Sequence, residues 1–180
     1  RIAERLTVLL VEDNPVNQVV AVKLLEKAGH TVTVAVNGRE ALTQFEKRRF
    51  DVIFMDIQMP EMGGIEATQA IRAREARRSW AAGRHSMSVP IIAMTAHAMQ
   101  GDKEACLMAG MDDFVTKPIR PPELYAAIAR VREAQSFAAS DEHLADAGLL
   151  NGDTVIDPKR WPISVRPVIC WMATRISCRI

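Results

Sequence analysis

Three carboxylates, a hydroxyl and an ammonium stand at the ends of short apolar runs. Glu12 and Asp13 follow the first run, Asp56 the third, Thr95 the fourth and Lys117 the fifth. In an open α/β sheet, ligands bind beyond the carboxyl ends of the strands, so all five groups would meet at one edge. Carboxylates gathered there repel one another unless a cation intervenes. Oxygen-only ligands with an exposed position favour Mg2+ or Mn2+ over zinc, and no Cys/His cluster lies near them. A carboxylate beside a divalent ion can attack a phosphoryl donor and form an aspartyl phosphate. Lys117 and the metal would offset charge on the phosphoryl oxygens, while Thr95 donates a hydrogen bond to one of them. A single acid at a strand end is more simply a helix N-cap, but a whole set at four strand ends is not. Other phosphate-binding signatures are missing, with no GxxxxGK[ST] loop and no GxGxxG.

The elements that must position these groups are legible as alternation. Thr7 to Val11, Thr31 to Val36, Asp51 to Met55, Pro90 to Thr95 and Asp113 to Thr116 read as strands. The first, third and fourth are nearly continuous apolar runs, as expected of strands covered on both faces. Thr31 to Val36 alternates, which places it near a sheet edge. Asn14 suits an N-cap, Pro15 the first helical position and Gly29 the residue after the helix. Between them Val16, Val19, Val20 and Leu24 recur at helical spacing. Asn37-Gly38 turns into a second helix with Ala41, Leu42 and Phe45 inward. Ile65 to Ala76, Asp102 to Ala109 and Pro121 to Arg132 supply three more. Five strands alternating with five helices predict an α/β fold with a parallel, doubly wound sheet. The Arg-, Ala- and Ser-rich stretch from Ala73 to Ser88 reads as a solvated helix end plus a loop, with a phosphate or nucleic-acid contact as the alternative.

The composition of these 180 residues narrows the class further. Lys plus Arg number 23 against 22 Asp plus Glu, a net charge of +1, which argues against a nucleic-acid binder. The longest uncharged run, His85 to Gly101, is too short and polar to span a bilayer, so no direct membrane contact is expected. Cys106, Cys170 and Cys178 form no CxxC pair and no disulfide framework, which suits a reducing cytosol. The chain begins at Arg1 and reads as a piece of something longer. Past Pro158 there are basic residues and no acid, so residues 1–132 are read as one domain and 133–180 as a linker with an irregular or truncated tail. Ser136 to Ser140 is the expected linker.

Four spaced motifs carry a resemblance. Leu9-Leu10-Val11-Glu12-Asp13-Asn14, Met55-Asp56-Ile57-Gln58-Met59-Pro60, Ile92-Ala93-Met94-Thr95-Ala96 and Thr116-Lys117-Pro118 resemble a response-regulator receiver domain over roughly residues 6–132. Asn14-Pro15-Val16-Asn17 and Thr95-Ala96-His97-Ala98 are similar to receivers fused to hybrid sensor histidine kinases. The resemblance implies a flavodoxin-like (βα)5 fold with strand order 2-1-3-4-5. It implies Asp56 as phosphoacceptor, with Mg2+ (or Mn2+) held by Asp13, Asp56 and the Gln58 backbone carbonyl, and by Glu12 through water. It makes Thr95 and Phe114 a switch pair and the Lys117-Pro118 bond cis. The implied partner is a histidine kinase or a histidine phosphotransfer domain; a homodimer is allowed. The implied location is cytoplasmic, in a parent that can itself be membrane-anchored. Such a receiver catalyses its own phosphorylation and dephosphorylation, and a hybrid parent would be a histidine kinase.

Three other readings compete. A stand-alone single-domain response regulator would carry the same motifs. A haloacid-dehalogenase-type phosphatase would need a second carboxylate two residues after the nucleophile, where Gln58 stands. A non-phosphorylated interaction module would have lost an acid or the lysine. A helix-turn-helix output after residue 132 is excluded by the short tail with Pro158, Pro162 and Pro167. Among the remaining residues, the methionines are expected to pack the core or anchor loops, Cys106 to be buried, and His30, His85, His97 and His143 to have no phosphotransfer role.

Overall fold

The computed structural model describes residues 5–82, 88–96 and 100–146. The chain divides into two units, Arg1–Ile128 and Ala129–Ile180. In chain order the elements are β1 (Thr7–Val11), α1 (Pro15–Lys27), β2 (Thr31–Ala35), α2 (Gly38–Lys47) and β3 (Val52–Asp56). Then come α3 (Gly64–Ala82), β4 (Ile91–Thr95), α4 (Gln100–Ala109), β5 (Asp113–Thr116) and α5 (Pro121–Asp146).

The strands form one parallel sheet in the order β2-β1-β3-β4-β5. This is the expected flavodoxin-like arrangement, and it sets the ends of β1 and β3 side by side. β3 and β4 are buried along their whole length, and β1 along all but its first residue. The edge strand β2 is the one whose residues alternate. It pairs with a strand, β1, along one edge only, and its residues are the least buried of the first four strands.

Local chemistry explains the helix starts. Asn14 Oδ1 accepts from the amides of Val16 (2.9 Å) and Asn17 (3.4 Å), capping α1. Asn37 Oδ1 accepts from Glu40 N at 2.9 Å, while the Glu40 carboxylate takes the Val36 amide at 2.9 Å. That pair is a reciprocal cap, with a residue at the third helical position reaching back. Gly29 ends α1 with φ of 91°, a conformation that costs a side chain dearly.

Val16, Val19 and Val20 lie exposed on α1, whose buried residues are Ala21 and Leu25. Three expectations about the helices are corrected. α3 runs past Ala76 to Ala82, held by Arg74 Nε to Glu46 at 2.7 Å and by Arg78 over the Phe45 ring. α4 begins two residues early, at Gln100. Ser136 to Ser140 is not a loop but part of α5, which runs on to Asp146. No Gly or Pro interrupts the chain between Pro122 and Gly148, and Ala134, Ala138 and Ala139 favour the helix. Residues 147–180, and with them the tail with two of the three cysteines, lie outside the described residues, as do His85 and His97.

Candidate functional site

β1 and β3 end at Val11 and Asp56, and the loops beyond them open a cleft of about 210 Å3. Glu12, Asp13, Asn14, Asn17, Asp56, Gln58, Thr95 and Lys117 are among its walls. Every site residue expected from sequence therefore lies here except Phe114. The convergence follows from strand order, because β1, β3, β4 and β5 are consecutive neighbours.

Lys117 is the hub. Its ammonium lies 2.6 Å from Asp56 Oδ2 and 2.7 Å from Glu12 Oε2. The Lys117-Pro118 bond is cis, and Lys117 N donates to Thr95 O at 2.7 Å, tying the end of β5 to that of β4. Thr95 itself is buried. Burial opposes the charge on Lys117, but the hydrogen bonds and negative charges of Asp56 and Glu12 outweigh it and raise its pKa. The lysine is thus a fixed positive charge. Burial raises the Asp56 pKa above the ordinary carboxylate range; Lys117 pulls it back, and the Glu12 charge pushes it up again.

Glu12 is almost wholly buried and its orientation is fixed from two sides. Asn17 Nδ2 donates to Oε1 at 2.9 Å, and Asn14 N reaches the same oxygen at 3.3 Å. Gln18 Nε2 holds the Glu12 carbonyl at 2.7 Å. Sequence reasoning did not give Asn14, Asn17 and Gln18 this orienting task. The available signal was their spacing, since Asn17 and Gln18 fall one turn after the acids on the helix that Asn14 caps.

The loop after Asp56 is pinned as tightly. Gln58 N donates to Asp56 Oδ1 at 3.2 Å and Gly64 N to Ile57 O at 3.0 Å. A Cβ on Gly64 would collide with the Asp56 carbonyl, so only glycine lets α3 start this close to the acceptor strand.

One ligand oxygen from each of Glu12, Asp13 and Asp56 can be chosen so that all lie within 4.8 Å of one another. Glu12 Oε2 is buried, with the Lys117 ammonium 2.7 Å away as its one close polar neighbour among the described residues. Three acids against one lysine, with Asp13 exposed at the mouth, is a donor set that fits a hard divalent cation. Phe114 lies apart from the cleft. It is half-buried against the margin of the core, and the Lys103 ammonium stands 4.2 Å from its ring centroid.

Among the described residues no helix is long and apolar enough to cross a membrane. Comparison with known proteins agrees with the fold and the motifs. The model of the response regulator receiver domain matches residues 8–129. Hybrid signal transduction histidine kinase I of Dictyostelium discoideum is 48% identical over 126 residues, covering 67% of this chain and 7% of that protein. Sensor protein GacS of Pseudomonas syringae pv. syringae is 44% identical over 117 residues, covering 65% of this chain and 12% of that protein. The chain therefore spans only a small part of these relatives. The receiver domain of sensor histidine kinase PA1611 from Pseudomonas aeruginosa, solved with magnesium in its active-site cleft, is 43% identical with a TM-score of 0.60. That match covers 71% of this chain and 97% of the other. The Saccharomyces cerevisiae receiver domain of Ssk1, solved with the histidine phosphotransfer protein Ypd1, is 35% identical with a TM-score of 0.66, covering 70% and 88%.

Proposed function

The chain belongs to the response regulator receiver domain family, and from that premise we propose that it accepts a phosphoryl group from a phosphohistidine onto Asp56. The observation that carries this is the Lys117 ammonium within 2.7 Å of both Asp56 and Glu12, with three carboxylates close enough to share one cation. An Asp56 oxygen attacks the phosphorus as the N–P bond of the donor breaks, and the imidazole keeps the electron pair. Lys117 neutralises charge on the transferred group, and Thr95 donates to one of its oxygens. Glu12, Asp13, Asp56 and the Gln58 carbonyl would hold Mg2+, or Mn2+, which when bound supplies further charge neutralisation at the phosphoryl oxygens. Asn17 and Asn14 keep Glu12 oriented for that task. Thr95 moving toward the phosphoryl group frees the space into which Phe114 turns, and that rearrangement is the signal.

The parent is a hybrid sensor histidine kinase, with the receiver facing the cytoplasm. Identities of 48% and 44% to two kinases of which this chain covers 7% and 12% support that origin over a stand-alone regulator. The receiver ends near residue 132, and residues 133–180 add little to its stability.

The partner docks on α1. Its exposed Val16, Val19 and Val20 form an apolar strip beside Asn17, which lines the acceptor cleft. Such a strip suits a helical bundle bearing the phosphohistidine, and the yeast complex pairs a related receiver with a phosphotransfer protein. The test is the rate of transfer from a phosphorylated histidine phosphotransfer protein. Val19→Glu and Val20→Glu should slow it at least tenfold and leave labelling by acetyl phosphate unchanged. Transfer at full speed in both variants places the docking face elsewhere.

A further inference from the structure

Arg78 and Lys103 each stand over an aromatic ring, and they differ in what they cover. Arg78 lies 5.0 Å from the ring of Phe45, which is buried in the core and has nowhere to go. Lys103 lies closer, 4.2 Å from the ring of Phe114, which is only half-buried. Both distances are inside the range where an ammonium or guanidinium is attracted to an aromatic face.

The placement of Lys103 is otherwise unfavourable. It is the fourth residue of α4, within the first turn, where the helix dipole disfavours positive charge. A cation there needs an offsetting contact, and the Phe114 ring supplies one. The neighbours of Phe114 across the β4–β5 pair are small. Phe114 is paired in register with Ala93, a fully buried residue with only a methyl group, and the next pair on that face is Thr95 with Thr116.

We propose that Lys103 is a positioning residue for the switch: its ammonium holds the Phe114 ring in the half-buried position, so the ring turns inward only by giving up that contact. This rests on the reading of Phe114 as the switch side chain. The contact exists in one state and not in the other, so it biases the balance between them. An exposed cation–π contact is worth about a two- to fivefold change in that ratio. By linkage, a ligand that favours the inward state binds more tightly by the same factor once the contact is removed, provided that state is the minor one.

The experiment uses the full chain with 4-fluorophenylalanine in place of its five phenylalanines. The Phe114 fluorine signal is identified by its loss in Phe114→Leu. Beryllofluoride, a phosphoryl mimic, is titrated in with Mg2+ present. The wild-type Phe114 signal should shift on saturation. Lys103→Met, which keeps the length and loses the charge, should bind the mimic about two- to fivefold more tightly, and Lys103→Arg should bind as the wild type does. A wild-type signal that does not move overturns the switch reading and this proposal with it. A signal that moves while Lys103→Met binds no more tightly overturns the role of Lys103 alone. Tightening in Lys103→Arg equal to that in Lys103→Met overturns its basis in charge.

Discussion

The two edges of the sheet gather the same kinds of residue and leave them in opposite states. At the amino edge, where β4 and β5 begin, Arg72 of α3 makes four hydrogen bonds, each of 2.8 Å. They go to Gly110 O, Val89 O, Glu75 Oε2 and Asp112 Oδ2. Its two acid partners also accept main-chain amides, Glu75 from Val89 N and Asp112 from Ile91 N, each at 2.7 Å. At the carboxyl edge three acids share one lysine: Glu12 and Asp56 each set one oxygen against its ammonium and the other against a backbone amide, while Asp13 stands exposed at the mouth. One carboxylate more than the clamp holds, in an open cleft, leaves this edge available to a cation and a reaction.

Exchanging the roles in experiment would break this contrast. The largest effect is expected at the carboxyl edge. Lys117→Ala should cut the rate of Asp56 phosphorylation by acetyl phosphate about a hundred- to thousandfold, the usual loss when one preorganised charge stabiliser is removed. A rate within threefold of wild type would take Lys117 out of the chemistry. At the amino edge Arg72→Ala should cost about 2–3 kcal/mol in urea unfolding. The loss leaves Asp112, Glu75 and two carbonyls short of a donor, and the partial exposure of Asp112 keeps it below that of a fully buried pair. The folded fraction of that variant should still accept phosphate at the wild-type rate. An unchanged unfolding midpoint would show that the clamp is ornamental.

The smallest effect also belongs to the amino edge. His30 Nδ1 accepts the Leu6 amide at 3.3 Å, and burial lowers its pKa from the usual 6.5. Below about pH 6.5 the unfolded chain takes up a proton that the folded chain resists, so this contribution is present above that pH and is lost as pH falls through the depressed folded value. The ring is only partly buried, so the loss should be about a few tenths of a kcal/mol. Unfolding at pH 7.5 and 5.5 should show a slightly smaller drop in His30→Gln than in wild type. Equal drops would remove His30 from the account.

What the sequence revealed divides along the same contrast. The acceptor edge was legible because its residues follow strands directly: Glu12, Asp13, Asp56, Thr95 and Lys117 each sit where an apolar run stops. The Arg72 clamp was not, since Arg72 and Asp112 are 40 residues apart and meet only after β4 and β5 align. Nor was the outward turn of Val16 and Val19, because periodicity shows that a stripe exists and not which neighbour it faces. The length of α5 was missed when small residues at 136–140 were read as a linker, although alanines are stronger helix formers than loop formers. Lys103 was invisible for a related reason, its partner lying across a helix–strand contact.

The proposed function rests on Asp56 being the group that takes the phosphate with a metal beside it. The most direct measurement is mass mapping after incubation with acetyl phosphate and Mg2+. One phosphoryl group should appear on the peptide containing Asp56, and it should be absent both in Asp56→Asn and in excess EDTA. Label retained in Asp56→Asn, or undiminished without the metal, would contradict the account.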